Sequence, residues 1–126
     1  MILDHLIGLG VPTFQASSMV GGSGQTTYTA AGTTQATATQ IPSGIYLVEA
    51  DTVASSTGVN LPPCLQGTQL FIYNNGAQTL TVYPAVANNP ITAAQDTINN
   101  STSLSAPASH VPEMFMCAKN GVWGAK

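Results

Sequence analysis

The sequence predicts an all-β domain, a single small antiparallel β-sandwich or barrel of jelly-roll-like kind, preceded by an extended N-terminal arm. Three observations predict it. Apolar and polar residues alternate with period two in several short runs, the mark of half-buried strands. Gly, Pro and Asn punctuate those runs at roughly 8–12-residue intervals, the spacing of sandwiches and barrels. The best-patterned runs, 68–73 and 78–83, flank Asn74-Asn75-Gly76-Ala77, and Asn-Gly is a strong hairpin signal because tight hairpin turns need positive φ.

The arm, residues 1–20, carries Ile2, Leu3, Leu6, Ile7, Leu9, Val11 and Phe14, too many apolar side chains for a free tail. Gly8, Gly10 and Pro12 disfavour a long helix there. These seven residues are the candidate partner-binding set: the arm is expected to dock on a neighbouring chain, and the competing reading makes it a first strand of its own core. Gly21-Gly22-Ser23-Gly24 is a flexible joint. The chain therefore divides into residues 1–24, arm and joint, and residues 25–126, the β-domain.

Residues 25–41 are biased towards Thr, Ala and Gln, and two short strands, 26–30 and 35–41, fit around Gly32. Pro42-Ser43-Gly44 is a turn, and 45–49 is a strand with Ile45 and Leu47 on one face. In the central pair, Leu70 and Ile72 share one face of the first strand and Leu80 and Val82 one face of the second, with Phe71 and Tyr73 turned away. All four aliphatics are expected to be buried. Residues 85–109 are rich in loop, with a short strand near 102–104. Residues 113–118 form a strand, Lys119-Asn120-Gly121 a turn and 122–124 the last strand.

Charged residues are only 6% of the 126, against roughly 25% in ordinary soluble proteins. The polar surface is thus Thr, Ser, Asn and Gln, which repels neighbouring copies little. With a net charge of −3 and Lys119 and Lys126 the only basic residues, the chain cannot neutralise a nucleic-acid backbone or an anionic membrane. No run approaches the ~18 apolar residues of a membrane span. The start lacks the basic region of a secretory signal, so synthesis in a cytoplasm is expected.

The inventory for chemistry is thin. His5 and His110 are the only imidazoles, and neither belongs to a nucleophile motif. Glu49 and Asp51 share a strand face, but solvated acids at a strand end explain them without catalysis. No metal-ligand spacing and no phosphate loop occurs. The expectation is no enzyme, no cofactor and no metal. Cys64 and Cys117 show no Cys-x-x-Cys spacing and read as two buried free thiols. Asn99-Asn-Ser and Asn100-Ser-Thr match the glycosylation sequon, which matters only in a secreted chain. Tyr28, Tyr46, Tyr73, Tyr83 and Trp123 are the candidates for a sugar-stacking platform.

One stretch resembles a known module. Val59-x-Leu61-Pro62, Gly67, Asn74-x-Gly76, Leu80-x-Val82-Tyr83-Pro84 and Ile91, with Trp123 near the end, are similar to a module of tailed-phage virion proteins. The likeness covers residues 25–124, and departs at Pro62-Pro63 and Asn88-Asn89-Pro90, where that family often has Gly-rich turns. The resemblance implies a small capsid decoration, or cement, protein: a dimer or trimer on the capsid exterior that binds the major capsid protein and staples adjoining capsomers. Tail or head-fibre components carry the same module, and a carbohydrate-binding module is a third reading. The start at Met1 favours decoration over a fibre tip.

Overall fold

In a computed structural model that describes residues 25–51, 54–108 and 110–125, none of the first six strands pairs with its neighbour in sequence. Strands β1 (Gln25–Thr29), β3 (Leu47–Asp51) and β5 (Gln69–Asn74) stack in parallel in one sheet. Strands β2 (Thr39–Gln40), β4 (Gly58–Asn60) and β6 (Leu80–Tyr83) stack in parallel in a second. The chain alternates between the sheets, so each parallel pair is connected through a strand of the other sheet. Ladder partners lie 22 and 24 residues apart in the first sheet (Gln25 to Leu47, Leu47 to Phe71) and 20 and 23 in the second (Thr39 to Val59, Val59 to Val82). The result is a β-solenoid of about four turns, all-β and without a helix among the described residues.

The end of the solenoid reverses. β8 (Leu104–Ala106) runs antiparallel to β6, and β9 (Glu113–Lys119) antiparallel to β5. β10 (Val122–Ala125) turns back on β9, and β7 (Thr97–Ile98) pairs in parallel with β10. The sheet orders are β1-β3-β5-β9-β10-β7 and β2-β4-β6-β8.

This architecture corrects the expected antiparallel sandwich or barrel. The central hairpin does not exist: β5 and β6 lie in different sheets. A two-residue hairpin of type I′ or II′ needs left-handed φ, and neither Asn75 nor Gly76 adopts it. Asn74 instead spends its side chain on a corner. Its Oδ1 accepts the Gly76 N–H (3.0 Å), and its Nδ2 donates to the carbonyls of Gln78 (2.8 Å) and Ala106 (3.1 Å). The Asn75 N–H donates to the Ala50 carbonyl (3.0 Å), so the chain follows the rung before it into the corner. The mirror-type turn lies at Asn99-Asn100 instead, both with left-handed φ, where Ile98 and Ser101 exchange backbone hydrogen bonds of 2.9 and 2.8 Å.

Alternation did identify the buried faces. Leu70, Ile72, Leu80 and Val82 are fully buried, facing one core from opposite sheets. Val48 lies opposite Ile72 and Val59 opposite Val82, each buried, so the core continues from rung to rung. Each such side chain contributes roughly 1.5–3 kcal/mol relative to exposure. Phe115 and Trp123 close the core at the reversed end. The 45–49 strand begins later than expected, at Leu47, and its pleat turns Val48 and Ala50 inside and Leu47 outside. Of the expected strand 35–41 only Thr39–Gln40 is extended. Residues 34–38 make a turn in which the Thr34 carbonyl accepts from the N–H groups of Thr37 and Ala38.

The cysteines correct a second expectation: Cys64 and Cys117 form a disulfide, with Cα atoms 5.6 Å apart. It ties the corner after β4 to β9. A buried polar cluster surrounds it. The Cys64 N–H donates to Asp96 Oδ2 (2.8 Å), and the Cys64 carbonyl accepts from Asn89 Nδ2 (2.7 Å) and from the Gly121 N–H (3.1 Å). Asn89 Nδ2 also reaches Asp96 Oδ1 (2.9 Å), while Asn89 Oδ1 accepts the Ile91 N–H (2.8 Å). Asn89 and Asp96 are almost completely buried. A buried carboxylate is tolerable only with donors aimed at it, and here it fixes the long loop 84–96 to the corner after β4, whose Cys64 carbonyl in turn accepts the Gly121 N–H of the reversed end.

Candidate interaction surface

The strand pleat sends alternate residues of the six-stranded sheet outwards. In the middle of that outer face, Leu47, Phe71 and Met114 lie opposite one another on β3, β5 and β9, and Met116 sits on the next row opposite Gln69. The four apolar side chains are half-buried and stand outside the hydrophobic core. Tyr46 borders the row, 38% exposed, with its ring edge-on to Phe71 at 5.5 Å. On the following row Thr27, Glu49 and Tyr73 lie opposite one another. The Glu49 carboxylate accepts from Asn75 Nδ2 (2.8 Å), and the Tyr73 ring packs against His110 at 5.9 Å. Val111, beside His110 in sequence, is 64% exposed. An apolar strip bordered by polar side chains is suited to burial against protein.

The second sheet is different outside. The loop after β1 covers part of it: Asn60 Nδ2 donates to the Gln35 carbonyl (2.8 Å) and the Tyr83 hydroxyl to the Thr33 carbonyl (3.2 Å). Gly58 leaves room for the Tyr83 ring, since a Cβ there would stand 2.8 Å from it. Beyond this cover, an open groove of about 310 Å³ is lined by Ser55, Ser56, Gln78, Thr79 and Thr81, hydroxyls and amide without an aromatic.

The residues singled out in the sequence fare unequally. Ile2, Leu3, Leu6, Ile7, Leu9, Val11 and Phe14 lie outside the described residues, as do Asp4 and His5. Glu49 and Asp51 share the outer face of β3, as expected. No group of three His, Cys, Asp or Glu side chains is arranged to hold a metal among the described residues. The five aromatics do not form one platform. Trp123 is fully buried, Tyr28 packs inward against the core, Tyr83 lies on the second sheet, and Tyr46 and Tyr73 lie on the first. A sugar cannot stack on Trp123. The apolar row escaped sequence reading because Leu47 was paired only with Ile45 on its own strand, with no link to Phe71 or Met114. The available signal was Met114 and Met116 on the face opposite Phe115 and Cys117.

Comparison with protein-family models, with curated proteins and with solved structures found no match to this chain.

Proposed function

We propose that this chain is a structural virion protein, a capsid decoration protein that binds the outside of a phage head and stabilises it through contacts with the major capsid protein and with copies of itself. The observation that carries the reading is the outer surface: a hydrogen-bonded solenoid that is poor in charge and bears one apolar row, Leu47, Phe71 and Met114, amid hydroxyl and amide side chains. Such a surface suits life packed against neighbours, where desolvating charges would cost more than contacts return. The resemblance around residues 58–84 supports the same reading. The seven apolar residues of the arm are the proposed contacts to neighbouring chains. The protein would be made in the host cytoplasm and end on the capsid exterior.

A tail or head-fibre component is the second reading, favoured by one observation. Among the described residues, β1 and β2 are edge strands at the same end of the solenoid, where another rung could add in parallel. Electron microscopy of virions made with and without the protein tests both. Regular knobs on the head that vanish without it support decoration. Loss of a projection from tail or vertex supports the fibre, and unchanged particles sink both.

A further inference from the structure

The groove on the second sheet differs from its surroundings in what its side chains do. Ser55, Ser56, Gln78, Thr79 and Thr81 line about 310 Å³ of open space, and all but the half-buried Thr81 are exposed. Nearby polar side chains are engaged with the chain itself. Thr39 donates to the Thr29 carbonyl (2.6 Å), Thr57 to the Ala54 carbonyl (2.7 Å) and Gln35 to the Pro84 carbonyl (2.9 Å). The five groove side chains make no hydrogen bond among the described residues. We propose that this groove is a binding site for a neutral oligosaccharide. The site does not depend on the virion reading.

The backbone of the walls is pinned while the side chains stay free. Thr81 points outward from β6, between the inward Leu80 and Val82. The Thr57 N–H and hydroxyl both donate to the Ala54 carbonyl (3.2 and 2.7 Å), closing the turn that presents Ser55 and Ser56. The Thr81 N–H donates to the Thr57 carbonyl (3.1 Å) and ties that turn to β6. The Gln78 carbonyl accepts from Asn74 Nδ2 (2.8 Å). Ser56 has a φ of 62°, uncommon for a residue with a Cβ, and such backbone gathers at ligand sites. Walls ordered in advance lower the cost of binding. The lining then selects the ligand. Hydroxyl and amide groups both donate and accept, as sugar hydroxyls require. No charged side chain lines the groove, so a phosphate or a metal ion finds no opposite charge, and no apolar side chain is there to hold an apolar ligand. β6 lies between β4 and β8, so no strand edge is open there to an extended peptide. The volume sits at the lower end of the roughly 300–1,000 Å³ of small-ligand sites and suits a single sugar unit. Ser105, exposed and opposite Thr81 on β8, continues the hydroxyl surface. Neighbouring strands are about 4.8 Å apart, comparable to one sugar ring, so a second unit follows the row.

Titration of the isolated, isotope-labelled full chain, followed through its backbone amide resonances, tests the site. The probes are three neutral trisaccharides, maltotriose, cellotriose and mannotriose, with sialyllactose as the acidic control. At least one neutral probe should shift the amides of Ser55, Ser56 and residues 78–81 and saturate in the millimolar range, as expected of a few hydrogen bonds without aromatic stacking. No saturable shift with any neutral probe, shifts confined to other residues, or a response to sialyllactose alone each overturns the proposal. The paired change Gln78→Ala with Thr81→Val removes two groove partners and should weaken binding about tenfold. Unchanged affinity in that variant, folded by its buried-type Trp123 fluorescence, overturns the proposal. Ser56→Gly gives a separate reading should the paired variant not fold, because glycine suits the left-handed backbone while the hydroxyl is lost. It should weaken binding several-fold, and full affinity there overturns the proposal.

Discussion

Residues 25–83 and residues 84–125 are held by different means. In the first region every strand leans on a parallel partner one rung away, and successive corners are kept by a few local hydrogen bonds, as at Asn74. In the second the chain reverses, β8 and β9 run antiparallel to β6 and β5, and order comes from a disulfide, a buried Asn89–Asp96 cluster and a mirror-type turn at Asn99-Asn100. The contrast teaches that a growing solenoid needs little besides an inward apolar face on each strand, whereas ending one requires specific polar and covalent devices. An end left open would expose the last rung of core, and terminal repeats elsewhere are capped for the same reason.

The largest test of this contrast sets one core residue of each region against the other. Trp123→Ala at the reversed end should cost about 3–5 kcal/mol and Leu80→Ala in the rungs about 2–5 kcal/mol, each read from chemical denaturation. If the end is an integral closure, both variants shift a single transition. Separate melting of residues 84–125 in Trp123→Ala would break the comparison by making the end a dispensable appendage.

Next comes the disulfide. Closing a loop of 53 residues stabilises by up to about 4 kcal/mol in the chain-entropy account, so the paired change Cys64→Ser with Cys117→Ser should lower stability by about 2–4 kcal/mol. Reductant should lower the unsubstituted protein's stability comparably and leave the variant's unchanged. Equal stability with and without reductant would show that the bond does not serve the closure.

Asn89→Ala tests the polar device. It leaves the Cys64 carbonyl and Asp96 short of a donor and the Ile91 N–H without its acceptor, and should cost about 2–3 kcal/mol in the same denaturation assay. A loss under about 0.5 kcal/mol would mean that the loop 84–96 is held by its backbone alone.

The smallest effects sharpen the comparison most, because they compare turns. Gly121, with φ of 86°, links β9 to β10, and Gly121→Ala should cost about 1 kcal/mol or more. Gly76, without left-handed φ, sits in a rung corner, and Gly76→Ala should fall within about 1 kcal/mol of neutral. A hairpin at 74–77 would reverse that expectation for Gly76, so thermal denaturation of these two variants separates the solenoid corner from the antiparallel turn.

The sequence made faces legible and partners illegible. Alternation at Leu70, Ile72, Leu80 and Val82 identified buried side chains because burial needs only the period of the pleat. A facing pair of sheets produces that period whether the chain crosses between them at each strand or turns back within one. The deciding quantity was the φ of Asn75 and Gly76, which those residues permit with either sign. The antiparallel pair β9–β10 was readable because a short turn with an obligatory glycine leaves no other course. Repetition at 20–24 residues was hidden, since Thr-rich, Leu-Val-rich and Phe-Tyr-rich strands occupy equivalent positions without sharing a motif. The disulfide carried no spacing signal, its cysteines being 53 residues apart. The apolar row of the candidate surface spans three strands, each supplying one member, so no single run displayed it.

Seen as a machine part, the Cys64–Cys117 bond changes how the chain carries tension. A pull applied at residues 25 and 125 passes through residues 25–64, crosses the sulfur bridge and leaves through residues 117–125. Everything between, including β5 to β8 and the loop 84–96, hangs off the line of force. Cutting the bridge would put 53 more residues in that line and add about 180 Å of extensible length. Under a load that swells and relaxes, the oxidised chain can give only by its outer segments, and single-molecule stretching before and after reduction should record the difference as one long missing step.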